Sequence, residues 1–449
     1  MNQFILGIPA ICFILGAGGY LTIRTNFTQL RLLPNGLKVF AKQMLQSDSN
    51  DKDVTPYQAF CTALGATVGT GNIVGVAGAI SIGGPGAVFW MWISAFFGMI
   101  LKYSEVLLSV HYQNKDPHNS VSAGPMYIIK KGMNHKWRIM AYLYALLGVV
   151  ASFGVGNSVQ INAVVSTVKN TAEALGGTIT QGIVLILGVL LAFLVGFMLA
   201  GGVNRITKIA ELLVPVVSSA YILLCLGVLV SRWREFDDVV IGIVRGAFSP
   251  QAVTGGAVGS ILQTVRIGTA RGVFTNEAGL GTAGIAHGCA KVEHPAKQGV
   301  LGIIEVFLDT IVICTLTAFV ILCCELPIDY GTDLGAELTT NAFISVYGKW
   351  VVILLAGIII CLAIATINGW GLYGLKCSQF LFGNQNWKAF LICQSIAAFA
   401  GAIAETPKLW LLAEVVNGLM MLPNIIVLIH RSSVVVNLTL EYESDLRKG

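Results

Sequence analysis

The sequence predicts an all-α polytopic membrane protein of about eleven transmembrane helices, ten of them in a five-plus-five inverted repeat with two broken helices. Three observations predict it. Hydrophobic residues make up 55% of the 449 and charged residues 11%, with a mean hydropathy of +0.76, whereas a soluble domain is about 25% charged. Apolar runs recur along the whole chain, most of them near the roughly 20 residues a spanning helix needs. Two of these runs are rich in glycine, and they stand at corresponding places in the two halves.

In chain order the runs fall at 3–22, 56–82, 85–112, 137–166, 179–201, 206–231, 256–289, 297–325, 341–372, 386–404 and 407–430, spans 1 to 11. Span 1 starts at Phe4 with no basic residue before it and no small-residue cleavage site. It reads as a retained helix, not a signal peptide. Residues 28–46, TQLRLLPNGLKVFAKQMLQ, mix basic and apolar positions. They predict an amphipathic helix on the membrane surface, and residues 234–250 are a second candidate. The organisation is then 1–55 for span 1 and the interfacial helix, 56–231 for the first five-span repeat, 232–255 for a linker, 256–430 for the second repeat and 431–449 for a cytoplasmic tail.

Lys and Arg orient the spans. With the N-terminus outside and the C-terminus cytoplasmic, nineteen of the 28 basic residues fall inside and six outside, while Lys102, Arg266 and Arg271 fall within spans. The net charge of +5 thus reports topology in a plasma or bacterial inner membrane, not a nucleic-acid partner. The ten cysteines and six histidines are scattered, with only Cys323 and Cys324 adjacent. No zinc-ligand set or disulfide framework appears, and no nucleophile elbow or P-loop. The sequence argues against an enzyme and implies no cofactor.

Spans 2–6 and 7–11 form two sets of five, and an odd number per set makes the second set run the opposite way. Span 2 holds GATVGTGNIVGVAGAISIGGPG (Gly65–Gly86), including Asn72-Ile73-Val74-Gly75. Span 7 holds RIGTARGVFTNEAGLGTAGIAHG (Arg266–Gly288), including Asn276-Glu277-Ala278-Gly279. Paired glycine-interrupted spans at matching places point to a transporter site. A broken helix frees N–H and C=O groups that cost several kcal/mol each against lipid. Lining a cavity, the same groups become ligands: N–H for a carboxylate, C=O for an ammonium or sodium ion. Close helix packing is the competing reason for the glycines. A channel would need a continuous polar path, whereas these polar groups cluster at two opposed breaks.

Charged groups inside spans face cavities or partners. Glu277 follows the span 7 break, either stabilising the next helix end or touching the solute. Arg271 is a gate or an ion-pair partner. Glu305 and Asp309 in span 8 stand i, i+4, either to couple a proton or cation or to pair with Arg271; Asp309 lies deeper. In span 4, SFGVGNSVQINAV places Phe153, Asn157 and Gln160 near one face, as a cavity wall or as interhelical hydrogen-bonding groups.

These motifs resemble the alanine or glycine:cation symporter family, also called sodium:alanine symporters. The resemblance is carried by GTGNIVGVAGAISIGGPGAVFWMWISAFFGM (Gly69–Met99), RGVFTNEAGLG (Arg271–Gly281), HPAKQGVLGIIEVFLDTIVICTLTA (His294–Ala318), GYLTIRTNFTQLR (Gly19–Arg31) and GWGLYGLKCSQFLFG (Gly369–Gly383). It covers nearly the whole chain. It implies a LeuT-type fold preceded by one added span. It also implies inward symport of small neutral amino acids, chiefly alanine and glycine, with sodium or sometimes protons.

On that resemblance, the substrate carboxylate is expected at the backbone of Thr70 and Gly71 with Asn72 beside it. The ammonium is expected at carbonyls from Gly272 through Thr275 to Asn276. Sodium is expected between the carbonyls of Gly65 and Val68 and span 9, where Ala363 and Thr366 in CLAIATINGW share a face; alternatively, the Thr366 hydroxyl bonds back to its own helix. Trp370, one turn on, is a pocket wall limiting substrate size or a membrane-interface anchor. Phe153, Asn157 and Gln160 complete the expected pocket, and Arg271, Glu277 and Asp309 are the coupling or gating candidates.

Overall fold

Backbone polar groups within a bilayer must be satisfied inside the protein, and this chain does so with helices. The computed structural model describes residues 8–45, 53–115, 121–256, 258–332, 334–404 and 406–448. Among them the one sheet is a two-residue pair, Asn114–Lys115 antiparallel to Val121–Ser122. Six helices are long and apolar enough to cross a membrane: Gly86–His111, His135–Ala174, Gln181–Ala200, Gly202–Ser231, Pro295–Cys323 and Val351–Phe382. Two bent pairs raise the number to as many as eight. One is Pro56–Thr67 with Gly71–Gly83, bent by 48°. The other joins Val415–His430 to Ser432–Lys448 at 62°; its second helix carries Glu441, Glu443, Asp445, Arg447 and Lys448 and is too polar to cross. Span 1 is seen as Ile8–Arg24; residues 3–7 of its expected range lie outside the described residues. Span 10 is Trp387–Ile403 and span 11 Thr406–His430.

Both expected breaks are present. Span 2 divides after Thr67 and span 7 divides into Ile261–Asn276 and Thr282–His287. Three boundaries differ from expectation. The range 341–372 is two helices, Gly335–Tyr347 and Val351–Phe382, parted at Gly348, whose φ of 79° a continuing helix cannot use. An unexpected short helix, Pro125–Gly132, lies between spans 3 and 4. The segment 431–449, expected as a tail, forms the docked helix Ser432–Lys448, in which Thr439 meets the Tyr103 hydroxyl at 2.8 Å and Glu443 pairs with Arg31 at 2.9 Å.

The amphipathic helix, Leu33–Leu45, is not left on lipid alone. Its Gly36 fits against Val300 and Ile304 of span 8, and the Phe40 ring packs, tilted, 5.1 Å from Phe60 of span 2. Burial sorts the spans. In span 3, Gly86–His111, 83% of the apolar window is enclosed, but in span 5, Gln181–Ala200, only 33%. Span 5 is also the more apolar of the two, because lipid rather than protein covers Ile186, Phe193 and Phe197. Span 7 lies directly on span 3: a Cβ at Gly268 would sit 2.3 Å from the Ala87 carbonyl, and one at Gly272 2.1 Å from Ser94 Oγ. Small residues set this contact, and the two breaks are thereby held at the centre of the bundle.

Candidate functional site

The first break begins where Pro56–Thr67 ends. A capping box of Thr55 and Gln58 starts that helix, and Val68 ends it with extended backbone, ψ 96°. The chain resumes as a π turn, Gly71–Gly75, and then the helix Val76–Gly83. Asn72 Oδ1 accepts from the Gly69 N–H at 2.9 Å, so a side chain replaces the missing intrahelical bond. At the second break Asn276 does the same: its Oδ1 accepts from the Ala278 N–H at 3.0 Å. Here the chain turns through three left-handed residues, Glu277 (φ 53°), Gly279 (φ 92°) and Gly281 (φ 81°).

The two asparagines converge on span 8. Asn72 Nδ2 donates to Asp309 Oδ1 at 2.7 Å, and Asn276 Nδ2 donates to Thr310 Oγ1 at 3.1 Å. The Thr310 hydroxyl in turn donates to Asp309 Oδ2 at 2.8 Å. Span 8 is π-helical over Phe307–Cys314, which brings these adjacent residues toward both breaks. The breaks also touch directly, since a Cβ at Gly71 would lie 3.4 Å from Thr275 Cγ2. Asp309 is therefore the common anchor of two interruptions about 200 residues apart in the chain.

The other expected residues divide. Gln160 reaches the first break, its Oε1 accepting from the Thr70 hydroxyl at 3.2 Å. Asn157 does not; its Nδ2 donates to the backbone and side-chain oxygens of Gln394 at 2.8 and 2.6 Å, and Phe153 packs 5.6 Å from Phe390. One apolar-helix stripe thus serves two neighbours. Thr366 Oγ1 donates to the Gly65 carbonyl at 3.1 Å, and a Cβ at Gly69 would come within 2.6 Å of it. This brings Gly65, Gly69 and Thr366 together, with the Gly65 carbonyl and the Thr366 hydroxyl as hard oxygen atoms; Val68 is buried between Thr67 and Gly69 in the chain. Ala363 is buried one turn before Thr366, while the groups beside Gly65 are Val214 and Ala365.

Trp370 is fully buried, far from any interface anchor's setting, with its Nε1–H donating to Glu277 Oε1 at 2.8 Å. Its side chain presses on Gly156, where an added Cβ would lie 2.2 Å from the Trp370 Cβ and 2.5 Å from the indole Cγ. Glu277 stands in the break itself rather than in the following helix, and its Oε2 accepts from the Thr282 hydroxyl at 2.7 Å. Gly272 faces span 3, and its carbonyl accepts from the Thr275 hydroxyl at 2.9 Å. Arg271 lies one turn before Thr275 on the first half of span 7. Glu305 instead pairs with Lys102 at 3.1 Å and His287 at 3.0 Å, all three fully buried. Sequence reasoning gave Lys102 no role and passed over Glu105. Their charges within an apolar run were the available signal.

A profile of the sodium:alanine symporter family matches residues 1–449. The chain belongs to this family. Among relatives of this symporter, the sodium/alanine symporter AgcS of Methanococcus maripaludis is 38% identical over 454 residues, spanning all of this chain and 97% of that one. The probable sodium/glutamine symporter GlnT of Bacillus subtilis is 36% identical over 453 residues, spanning all of this chain and 90% of that one. The crystal structure of MhsT in complex with L-phenylalanine aligns with a TM-score of 0.57 at 14% identity, covering 87% of this chain and 99% of that one. At that identity the likeness is one of fold, the LeuT type. The chain is a multi-pass membrane transporter of this fold.

Proposed function

We propose that this family member imports small neutral amino acids, alanine and glycine foremost, with sodium by alternating access. The observation that carries the reading is the meeting of two broken helices through Asn72, Asn276 and Asp309. In it, the N–H groups of Thr70 and Gly71, with Asn72, hold the substrate carboxylate. Carbonyls of the second break, over Gly272, Thr275 and Asn276, take the ammonium, and Gln160 and Trp370 bound the pocket. Gly65, Val68, Ala363 and Thr366 hold the sodium ion. Asp309 ties the two breaks, so that occupancy at one is felt at the other. Arg271 and Glu277 act as gates. The N-terminus lies outside and the C-terminus in the cytoplasm.

The decisive experiment is uptake into vesicles containing purified protein. Labelled alanine and glycine should accumulate, saturably, when a sodium gradient is imposed, and unlabelled glutamine in the competitor panel tests a larger substrate. Non-saturating flux, or accumulation indifferent to sodium, would overturn the reading.

A further inference from the structure

Behind the second break, span 3 carries Glu105 one turn from Lys102, both fully buried. The cation is already engaged. Lys102 Nζ donates to Glu305 Oε1 at 3.1 Å, and Glu305 Oε2 lies 3.0 Å from His287 Nε2. Gln298 Nε2 lies 2.7 Å from His287 Nδ1 and 3.2 Å from the Pro56 carbonyl. An amide nitrogen only donates, so Nδ1 accepts, Nε2 carries the hydrogen, and His287 is neutral. Lys102 and Glu305 then balance each other and leave Glu105 without a cation of its own.

Glu105 is bonded differently from the other buried acids. Glu277, Glu305 and Asp309 each accept at both oxygens, as ionised carboxylates do. Glu105 Oε1 accepts from the Gly279 N–H and from Asn424 Nδ2, both at 2.7 Å. Asn424 Nδ2 also donates to the Gly279 carbonyl at 2.9 Å. Together the two side chains hold Gly279 by its N–H and its C=O. Yet, among the described residues, Glu105 Oε2 and Asn424 Oδ1 have no partner, although both side chains are fully buried. Each of these buried acceptors needs a donor, and the two side chains that carry them are already joined by one hydrogen bond.

We propose that Glu105 holds an exchangeable proton on Oε2 and donates it to Asn424 Oδ1, closing a two-bond acid–amide ring that pins the break of span 7. With the proton in place, both orphan oxygens are satisfied and Gly279 is held. As pH rises and the proton leaves to solvent, the new carboxylate charge faces the amide oxygen, the ring opens and Gly279 is released. The ionisable groups around Glu105 are Lys102 on its own span, Glu305 on span 8, Glu277 in the break, Tyr144 on span 4 and Tyr373 on span 9. The Tyr144 hydroxyl is already committed, donating to the Leu280 carbonyl at 2.9 Å.

Infrared spectra of the purified full-length protein test this directly. The wild type at neutral pH should show the carbonyl stretch of a protonated carboxyl group, shifting in heavy water and absent from Glu105→Gln. Asn424→Ala should keep the band but move it toward a free acid's position. Glu105→Gln reproduces the ring with a permanent donor. Its alanine affinity at saturating sodium should therefore lose the pH dependence of the wild type and stay at the wild type's acidic value. A wild-type spectrum without the band overturns the proposal, whether or not a variant folds, as does a Glu105→Gln protein that keeps the wild-type pH profile. The infrared arm needs no substrate, so this proposal and the sodium-coupled reading fail separately.

Discussion

In span 2 the groups on the broken backbone are neutral, Asn72 capping Gly69, Gln160 meeting Thr70 and Thr366 meeting Gly65, and one acid, Asp309, stands behind them through Asn72. In span 7 the interruption runs longer, through three left-handed residues, and acids hold it: Glu277 through Trp370 and Thr282, Glu105 through Gly279. A left-handed non-glycine residue such as Glu277 costs about 1–2 kcal/mol, which its two charge-assisted bonds offset. The difference has a functional lesson. On the proposed function, neutral dipoles of the first break would meet the zwitterion and the sodium ion directly, with the Asp309 carboxylate one hydrogen bond behind them. Asp309 stands behind both breaks, and the proton proposed on Glu105 would add a pH response at the second alone.

Substitution of one glycine in each break gives the largest expected contrast. Gly71→Leu places a side chain against Thr275 where the substrate reaches the backbone; alanine binding should vanish while the protein still folds and inserts. Gly279→Ala should act through stability, because φ 92° is strained for any side chain; its melting temperature should fall while residual folded protein still binds alanine. Unchanged alanine affinity in Gly71→Leu would remove the first break from the substrate site.

A smaller effect is expected at the sodium position. Thr366→Val keeps shape and removes the hydroxyl, a loss of about 1 kcal/mol on the scale of a single hydrogen bond. The sodium concentration for half-maximal uptake should rise roughly fivefold, with alanine affinity at saturating sodium little changed. If sodium dependence is untouched, Thr366 only packs against Gly65.

The smallest contrast is one of ranking. Trp370→Ala opens space beside the second break and leaves Glu277 Oε1 without its indole donor. Larger neutral amino acids should gain on alanine, by about 0.8 kcal/mol for each CH₂ that fills the space, or about fourfold per methylene. Competition by an amino-acid panel against labelled alanine measures it, and a wild-type ranking would take Trp370 out of the pocket wall.

Composition, the recurring apolar runs and the paired Asn-x-x-Gly stretches are local properties, and from them the sequence determined the membrane class and both broken helices. It also showed which side chains were expensive to bury. It did not show where they pair, because partners such as Asn72 and Asp309, Trp370 and Glu277, or Glu105 and Asn424 lie far apart in the chain. Spacing along one helix put Asn157 and Gln160 on a common face, but only packing sent one to Gln394 and the other to Thr70. Gly348 looked like any glycine in an apolar run until its backbone angle ended a helix there. Helical periodicity fixes which residues share a face, whereas the neighbour that face meets depends on how spans from both halves of the chain pack together. The assignment of Asp309 as common anchor and of Glu105 as the acid with a spare oxygen was decided by tertiary structure alone.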